Sequence, residues 1–323
     1  MGSSPTPSAS HEGILLFGRK GRVHNARRKR GRALTPKEGM IEISCTILSG
    51  KEPAENLKFE VYLRNKLEMY TPKLAVIMVG ENPASQAYVN GKKRDCEDCG
   101  IDFELIHFDE KIKQRTIVET ISKLNEDPDV NGILVQLPLP SHLNKKAIID
   151  SICPEKDVDC FTEINLGKMF LGNPLFEPCT SSGILELLKY YNIPIKGEHC
   201  VIIGRSNIVG KPLATMLTNE GATVTICNSM TKNLKDLTLS ADILISAVGI
   251  PQFVTADMVK ENVVVIDVGI NRNKNGKLCG DVDFESVKNK VKAITPVPGG
   301  IGLMTRAALM KNVAKAAYGP VAQ

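Results

Sequence analysis

A strand that ends in a glycine turn and continues into a helix is the feature of this sequence that most limits its fold. The segment "VIIGRSNIVGKP", residues 201–212, starts as a buried strand, turns at Gly204 and places Pro212 in a first helical turn. Gly204 permits the sharp exit, and Gly210 allows the helix to pack closely. The N–H groups at such a helix start can bind a dinucleotide pyrophosphate. Because the spacing is G-x-S-x-x-x-G rather than G-x-G-x-x-G, a plain strand-to-helix turn is the alternative.

Strand and helix patterns alternate along most of the chain. Apolar runs such as "PKLAVIMVG" and "VNGILVQLPLP" are separated by helical segments, and a second series of strands begins at "HCVIIG". This alternation is typical of parallel sheets covered by helices. The sequence therefore predicts an α/β protein of two domains, an α/β catalytic domain and a Rossmann-like dinucleotide-binding domain, with a cleft between them.

The end of the next strand indicates which dinucleotide binds. NAD-binding proteins usually carry Asp or Glu there to hold the ribose hydroxyls, whereas "TICNSMT" contains no carboxylate. Arg205, in the first turn, can hold a 2′-phosphate through a two-pronged, hydrogen-bonded ion pair. We therefore predict NADP rather than NAD, with an exposed turn charge as the alternative role of Arg205.

The positive charge of the chain is concentrated in its first 39 residues. This leader holds nine basic and two acidic residues, whereas the remainder holds 32 basic and 34 acidic residues. The body therefore has no charge excess for nucleic acid, and no apolar run reaches the roughly 18 residues of a membrane span. A tag or upstream-translated remnant, a disordered tail and a transit peptide remain alternatives for the leader. We expect a cytoplasmic protein, or an organelle-matrix protein if the leader is a transit peptide.

Nine cysteines are scattered along the chain without a secretory signal. This pattern favours free thiols in a reducing compartment. The Cys96-x-x-Cys99 pair invites a metal or redox interpretation. No second close pair and no nearby histidine pair support zinc, so we predict structural cysteines and no metal site.

Polar residues that could support chemistry occur in three separate segments. In "SQAYVNGKKRDC", Tyr88 and Lys92 are four residues apart and share a helix face, whereas Lys93 and Arg94 point elsewhere. Gln136 lies at a strand end, where α/β sheets bind ligands, and Asp159 follows in "PEKDVD". Each has an ordinary alternative: a solvated charge run for Lys92, a strand-end amide for Gln136 and a loop cap for Asp159.

The order of five motifs resembles that of the bifunctional methylenetetrahydrofolate dehydrogenase/methenyltetrahydrofolate cyclohydrolase family. The motifs are S-x-x-Y-V-x-x-K, V-Q-L-P-L-P, P-E-K-D-V-D, G-R-S-x-x-V-G-x-P and T-P-V-P-G-G-x-G. The likeness extends from Met40 to about Tyr318. It implies NADP-dependent oxidation of 5,10-methylene-tetrahydrofolate and hydrolysis of the methenyl product to 10-formyl-tetrahydrofolate. A monofunctional NAD(P)-dependent dehydrogenase is the alternative, and the resemblance also implies a homodimer.

The resemblance also implies roles for individual residues. The expected catalytic residues are Lys92, Gln136 and Asp159. The expected folate-binding residues are Tyr88, Leu137, Asp159, Pro298 and Gly299. The expected cofactor-binding residues are Thr180, Gly204, Arg205, Ser206, Ser229, Ile270 and Thr305. The folate domain is expected at 40–178, completed by a C-terminal helix at 303–318, and the NADP domain at 182–295.

The chain departs from the family pattern at four places. Cys160 stands where glycine is usual, and Ser181 and Leu303 stand where proline is usual. The segment "NSMT" lacks the usual histidine before Ser229 and the cation after it. The last departure removes one expected phosphate partner, which predicts a weaker preference for NADP.

Overall fold

A computed structural model describes residues 45–319, so the predicted leader lies outside the described residues. The helices of the described part are α1 (Lys51–Glu68), α2 (Pro83–Cys99), α3 (Gln114–Glu126), α4 (Lys145–Ile149), α5 (Glu163–Phe170), α6 (Cys179–Tyr190), α7 (Gly210–Asn219), α8 (Leu234–Ser240), α9 (Phe284–Val287) and α10 (Ile301–Tyr318), with a 3₁₀ turn at Ala256–Met258. The strands are β1 (Thr46–Ile47), β2 (Lys73–Val79), β3 (Asp102–Phe108), β4 (Gly132–Val135), β5 (His199–Ile203), β6 (Thr223–Cys227), β7 (Ile243–Ser246), β8 (Val264–Asp267), β9 (Asn271–Arg272), β10 (Leu278–Cys279) and β11 (Ala293–Ile294).

Two parallel sheets organise the structure. The smaller has the order β3-β2-β4, and the larger has the order β1-β11-β8-β7-β5-β6. Strands β4, β7 and β8 are buried along their full length, which is why they read as unbroken apolar runs rather than as alternating patterns. The predicted α/β class, with catalytic and dinucleotide-binding parts, is confirmed.

Local sequence signals set both ends of helix α2. The Asn82 side chain accepts hydrogen bonds from the backbone N–H groups of Ala84 and Ser85, and Pro83 opens the first turn. At the other end, Gly100 adopts φ 67°, the left-handed conformation that stops helices. These two signals fix the helical register of Tyr88 and Lys92.

Strand β1 belongs to the larger sheet, although it lies within the range 40–178 predicted for the folate domain. Thr46 and Ile47 pair in parallel with Ala293 and Ile294, so β1 is the outer strand of the larger sheet. A two-residue strand carries too little periodicity to show its partner in the sequence. The predicted domain limits, 40–178 with 303–318 and 182–295, remain a prediction.

Helix α10 packs into the cores of both sheets. Ile301 and Met304 belong to the core of the larger sheet, whereas Met310 and Val313 belong to the core of the smaller sheet. The helix is therefore apolar on more than one side, as expected for a helix buried between two layers. No helix in the range 45–319 has both the length and the apolar character that crossing a bilayer requires.

Candidate active site

The three consecutive cations of α2 have different environments. Lys92 is buried, with 9% of its surface exposed, whereas Lys93 and Arg94 are exposed. The helical spacing predicts this division, because Lys92 follows Tyr88 on the inner face of α2. A buried lysine needs a partner, and the structure provides one.

Gln136 is the partner of Lys92. The Lys92 Nζ donates a hydrogen bond to Gln136 Oε1 at 3.0 Å, and Gln136 is also only 9% exposed. Gln136 Nε2 donates to the Leu137 carbonyl at 2.7 Å, which directs Oε1 toward the amine. Gln136 follows directly after β4, so the end of the smaller sheet positions the amide.

The charged state of Lys92 depends on burial and on four neighbouring groups. Burial lowers its pKa, because removal from water disfavours the charged form. Asp159, Cys179 and Cys96 act in the opposite direction, and Arg306 lowers the pKa further. Burial likewise raises the pKa of Asp159, opposed by the Lys92 charge and the Cys179 thiol. Both shifts favour uncharged side chains.

The segment around Asp159 is fixed by its neighbours. Asp157 is buried and accepts hydrogen bonds from the backbone N–H groups of Phe161 and Thr162, which supports a structural role. Cys160 adopts φ 59°, and its Sγ lies 3.1 Å from the Phe176 carbonyl oxygen. This left-handed backbone explains why glycine suits the position, since a side chain there carries a steric penalty.

Cys96 and Cys99 are buried in the core rather than exposed as a redox pair. Cys96 Sγ lies 3.7 Å from Met310 Sδ, and Cys99 Sγ lies 3.6 Å from the Lys58 carbonyl oxygen. Burial raises the pKa of Cys99 to about 12, so its thiol stays protonated. All nine cysteines are free thiols.

A cleft of about 450 Å³ runs along the N-terminal half of α2. Its lining includes Tyr88, Ile270, Pro298, Gly299 and Arg306. Gly299 adopts φ 103°, which few residues other than glycine tolerate. Among the described residues, Lys92, Gln136 and Asp159 do not line this cleft. The structure therefore brings Tyr88, Ile270, Pro298 and Gly299 together in an open cleft, whereas Lys92 and Gln136 form a buried contact outside its lining. Leu137 does not line this cleft either.

The glycine turn forms a close backbone crossing at the start of α7. Gly204 has φ 124°, and a Cβ on it would lie 2.4 Å from the Ala247 carbonyl oxygen. A Cβ on Gly210 would lie 2.0 Å from the Gly204 carbonyl oxygen. Ser206 Oγ accepts hydrogen bonds from the Val209 N–H at 3.1 Å and the Gly210 N–H at 3.4 Å, so it contacts the backbone where α7 begins. Both glycines are therefore required by the backbone path.

The remaining expected cofactor residues occupy two places. Arg205 and Ser229 are exposed, next to the ends of β5 and β6. The Thr305 hydroxyl donates to that of Thr180 at 3.4 Å, which joins α10 to α6. Ser181, one of the departures, is fully buried and its hydroxyl has no partner among the described residues.

Three residues of this region were missed from the sequence. Arg306 Nε lies 3.2 Å from Asp95 Oδ2, and its guanidinium lies against Gly91 of α2. The spacing of Tyr88, Gly91 and Asp95 places them on one helix face, but nothing in the sequence connects that face to Arg306.

Two matches to family models decide what kind of protein this is. The tetrahydrofolate dehydrogenase/cyclohydrolase catalytic domain matches residues 48–159, and the NAD(P)-binding domain of the same description matches residues 178–319. The chain belongs to the tetrahydrofolate dehydrogenase/cyclohydrolase family. The family identified from the five motifs is thereby confirmed.

Relatives of this chain support the assignment along nearly their full length. The bifunctional protein FolD of Bacillus cytotoxicus is 54% identical over 277 residues, covering 84% of this chain and 96% of the relative. That of Bacillus subtilis is 51% identical over 279 residues, covering 85% and 98%. These relatives are named as bifunctional proteins, which favours the bifunctional interpretation over the monofunctional alternative.

Solved structures agree with the fold. The bifunctional FolD dehydrogenase/cyclohydrolase of Campylobacter jejuni has a TM-score of 0.82 at 50% identity, covering 84% of this chain and 98% of that one. The Trypanosoma brucei FolD, solved with NADP and an inhibitor, has a TM-score of 0.80 at 34% identity, covering 84% and 97%. The family enzymes therefore share this arrangement of two parallel sheets.

Proposed function

We propose that this chain oxidises 5,10-methylene-tetrahydrofolate with NADP⁺ and hydrolyses the methenyl product to 10-formyl-tetrahydrofolate. The observation that carries the proposal is the buried contact between Lys92 Nζ and Gln136 Oε1 at 3.0 Å. A dehydrogenase needs only aligned reactants, whereas hydrolysis also needs proton transfer. The buried amine provides the proton-transfer group for the second reaction.

The glycine turn fits a dinucleotide. Positions Gly204 and Gly210 leave no room for a Cβ, and Ser206 holds the start of α7, where N–H groups can bind a pyrophosphate. Arg205 is exposed beside this turn and is proposed to hold the 2′-phosphate of NADP. When bound, NADP⁺ supplies the hydride acceptor. Ser229, Ile270, Thr180 and Thr305 are proposed as further cofactor contacts.

The folate is proposed to lie along α2. Tyr88, Pro298 and Gly299 line the cleft. Tyr88 is proposed to stack on the ligand, with Pro298, Gly299 and Leu137 as further contacts. Asp159 is proposed to accept hydrogen bonds from the pterin ring, whose paired N–H donors suit a carboxylate. Because Asp159 does not line the cleft, the pterin is proposed to extend beyond the cleft lining toward Lys92 and Gln136.

Hydrolysis of the methenyl group needs a base that is uncharged when the substrate binds. The oxygen of a water molecule bonds to the methenyl carbon, and Lys92 accepts one proton from it, which leaves a hydroxyl group on this carbon. The bond from the carbon to N5 then breaks as the hydroxyl loses its proton and becomes the carbonyl of the formyl group on N10. N5 gains one proton in the same step, so the proton held by Lys92 is the one released to solvent. Burial lowers the pKa of Lys92, which favours the neutral amine that this step requires. Gln136 orients the amine without adding charge.

An absorbance assay of methenyl-tetrahydrofolate tests the proposal. Wild type and Lys92→Ala are compared with NADP⁺ and with NAD⁺, and Lys93→Ala is the matched control because Lys93 is exposed. We expect Lys92→Ala to lose hydrolysis and accumulate the methenyl product where oxidation survives, while Lys93→Ala behaves as wild type. Hydrolysis by Lys92→Ala at the wild-type rate would overturn the assignment.

Assembly and compartment are also proposals. We propose a homodimer formed through the larger sheet, supported by the position of β6 at its outer edge, where Ile226 is 39% exposed. Light scattering with an Ile226→Lys variant tests it, and an unchanged dimer would exclude this edge. A cytoplasmic location, or an organelle matrix if residues 1–39 are a transit peptide, agrees with nine free thiols.

A further inference from the structure

We infer that the ion pair of Arg306 and Asp95 positions the surroundings of Lys92. The pair holds α10 against α2 at Gly91, and it keeps a permanent cation on the helix segment that carries the base. The inference rests on the proposed role of Lys92 in hydrolysis. Arg306 itself is assigned no contact with the reacting atoms, so it is a positioning residue rather than a catalytic one.

The first support is the fit of the guanidinium against α2. A Cβ on Gly91 would lie 2.1 Å from Arg306 Nη1 and 3.1 Å from Cζ. The Arg306 guanidinium thus occupies the space that a side chain at residue 91 would fill, one residue before Lys92. Glycine weakens a helix interior, so its presence here is explained by this crossing.

The second support is how the charge is held. Arg306 Nε lies 3.2 Å from Asp95 Oδ2, with 21% and 6% of the two side chains exposed. Asp95 Oδ1 also pairs with Lys58 at 3.1 Å, and Lys58 pairs with Asp98 at 2.8 Å. Four charges from α1, α2 and α10 are thereby balanced, and the arginine is held between helices rather than in bulk water.

The third support is the position of this cation relative to the site. Arg306 lines the cleft beside Tyr88, and its charge lowers the pKa of Lys92. The other ionisable groups acting on Lys92 are Asp159, Cys179 of α6 and Cys96 of α2 itself, all of which raise the pKa. Gln136, after β4, is neutral. Within this set of groups, Arg306 is therefore the one that acts in the same direction as burial and favours the neutral amine.

The inference predicts opposite effects for the two members of the pair. Replacing Arg306 by methionine removes a cation and leaves the Asp95 anion with one partner fewer, so both changes favour protonated Lys92. Replacing Asp95 by asparagine removes the anion and leaves the cation, which favours neutral Lys92. Loosened packing alone would impair both variants in the same direction.

The test is the pH profile of methenyl-tetrahydrofolate hydrolysis by the full chain, corrected for the rate without enzyme. The rate rises with pH as Lys92 loses its proton, so the midpoint of the rise reports the base. We expect Arg306→Met to raise the midpoint by about half a pH unit or more and Asp95→Asn to lower it. Arg306→Lys keeps the charge and stays nearer to wild type, and Arg94→Met is the matched control because Arg94 is exposed on α2.

Midpoints that move in the same direction for Arg306→Met and Asp95→Asn, or that do not move, overturn the inference. Circular dichroism checks that each variant folds. If Arg306→Met does not fold, the Asp95→Asn variant alone tests the inference: a lower midpoint supports it, and an unchanged or higher midpoint overturns it. The Lys92→Ala assay distinguishes failure of the proposed function from failure of the positioning role. If Lys92→Ala hydrolyses methenyl-tetrahydrofolate normally, the proposed function fails. If Lys92→Ala is inactive while the midpoints of Arg306→Met and Asp95→Asn shift in the same direction, only the positioning role fails.

Discussion

Lys92 and Gln136 are 44 positions apart in the sequence, yet Lys92 Nζ and Gln136 Oε1 are 3.0 Å apart. The amide accepts a hydrogen bond without carrying charge, so it satisfies the buried amine in its neutral form as well as in its charged form. A carboxylate at the same place would stabilise only the ammonium. This difference makes the amide suitable beside a base, and it gives a direct test.

Gln136→Glu should impair hydrolysis more than oxidation. The new carboxylate would raise the pKa of Lys92, because an opposite charge at hydrogen-bond distance favours the ammonium. We expect hydrolysis near pH 7 to fall roughly 10-fold or more, with the pH midpoint moved upward, while oxidation falls by a smaller factor. The two rates are measured separately with methenyl- and methylene-tetrahydrofolate. An unchanged midpoint would show that Gln136 does not set the protonation of Lys92.

Gly91→Ala and Gly167→Ala should change the free energy of unfolding with opposite signs. Both glycines lie inside helices, but a Cβ at Gly167 meets no atom within 4 Å, whereas one at Gly91 lies 2.1 Å from Arg306 Nη1. We expect Gly167→Ala to stabilise by about 0.5–1 kcal/mol through helix propensity. Gly91→Ala should destabilise by roughly 1 kcal/mol or more, because Arg306 must leave Asp95. Urea unfolding measures both, and stabilisation by both variants would contradict the packing described for Arg306.

Asp267→Asn should remove a pH dependence of stability. Asp267 is buried, and its carboxylate accepts hydrogen bonds from the backbone N–H groups of Gly269, Asp281 and Val282. Burial is the main cause that raises its pKa to about 6 from 3.8. Since the folded pKa is raised, the stabilisation is fully present below about pH 4 and is lost as pH rises through 6. The loss amounts to about 3 kcal/mol between these limits.

Urea unfolding at pH 4 and pH 7 checks this sign. The free energy of unfolding of wild type minus that of Asp267→Asn should be larger at pH 4 than at pH 7. Asp257→Asn is the control, because hydrogen bonding by Lys235 lowers the pKa of Asp257 to about 2 from 3.8. The stabilisation from Asp257 is therefore lost only as pH falls below about 4, and it should change little between pH 4 and pH 7. A wild-type advantage over Asp267→Asn that grows toward pH 7 would contradict the raised pKa.

Arg205→Met and Ser206→Ala should affect the two dinucleotides differently. Arg205 is proposed to contact the 2′-phosphate, which only NADP carries, so its loss should raise KM for NADP⁺ roughly 10-fold and leave KM for NAD⁺ nearly unchanged. Ser206 accepts hydrogen bonds from the N–H groups at the start of α7, which is proposed to face the shared pyrophosphate, so its loss should weaken the binding of both cofactors to a similar degree. Steady-state kinetics with both cofactors separates the two roles. Equal effects of Arg205→Met on NADP⁺ and NAD⁺ would exclude the phosphate contact.

The sequence by itself determined the fold class, the family and the ends of α2. Local signals carry these features: apolar runs of strand length, glycine turns, a proline in a first helical turn and a cap at Asn82. The motifs also predicted that Lys92 differs from Lys93, because helical spacing alone separates their faces. Each of these features is carried by short patterns of neighbouring residues, so a single sequence is sufficient to predict them.

Only the tertiary structure decided the pairing of β1 with β11, the burial of the Lys92–Gln136 contact and the crossing of Arg306 over Gly91. These contacts join residues far apart in the chain, and their geometry depends on how sheets and helices pack. The protonation of Lys92 also depends on the tertiary structure. Burial and the charges of several elements set its pKa, and the four-residue spacing from Tyr88 contains neither kind of information.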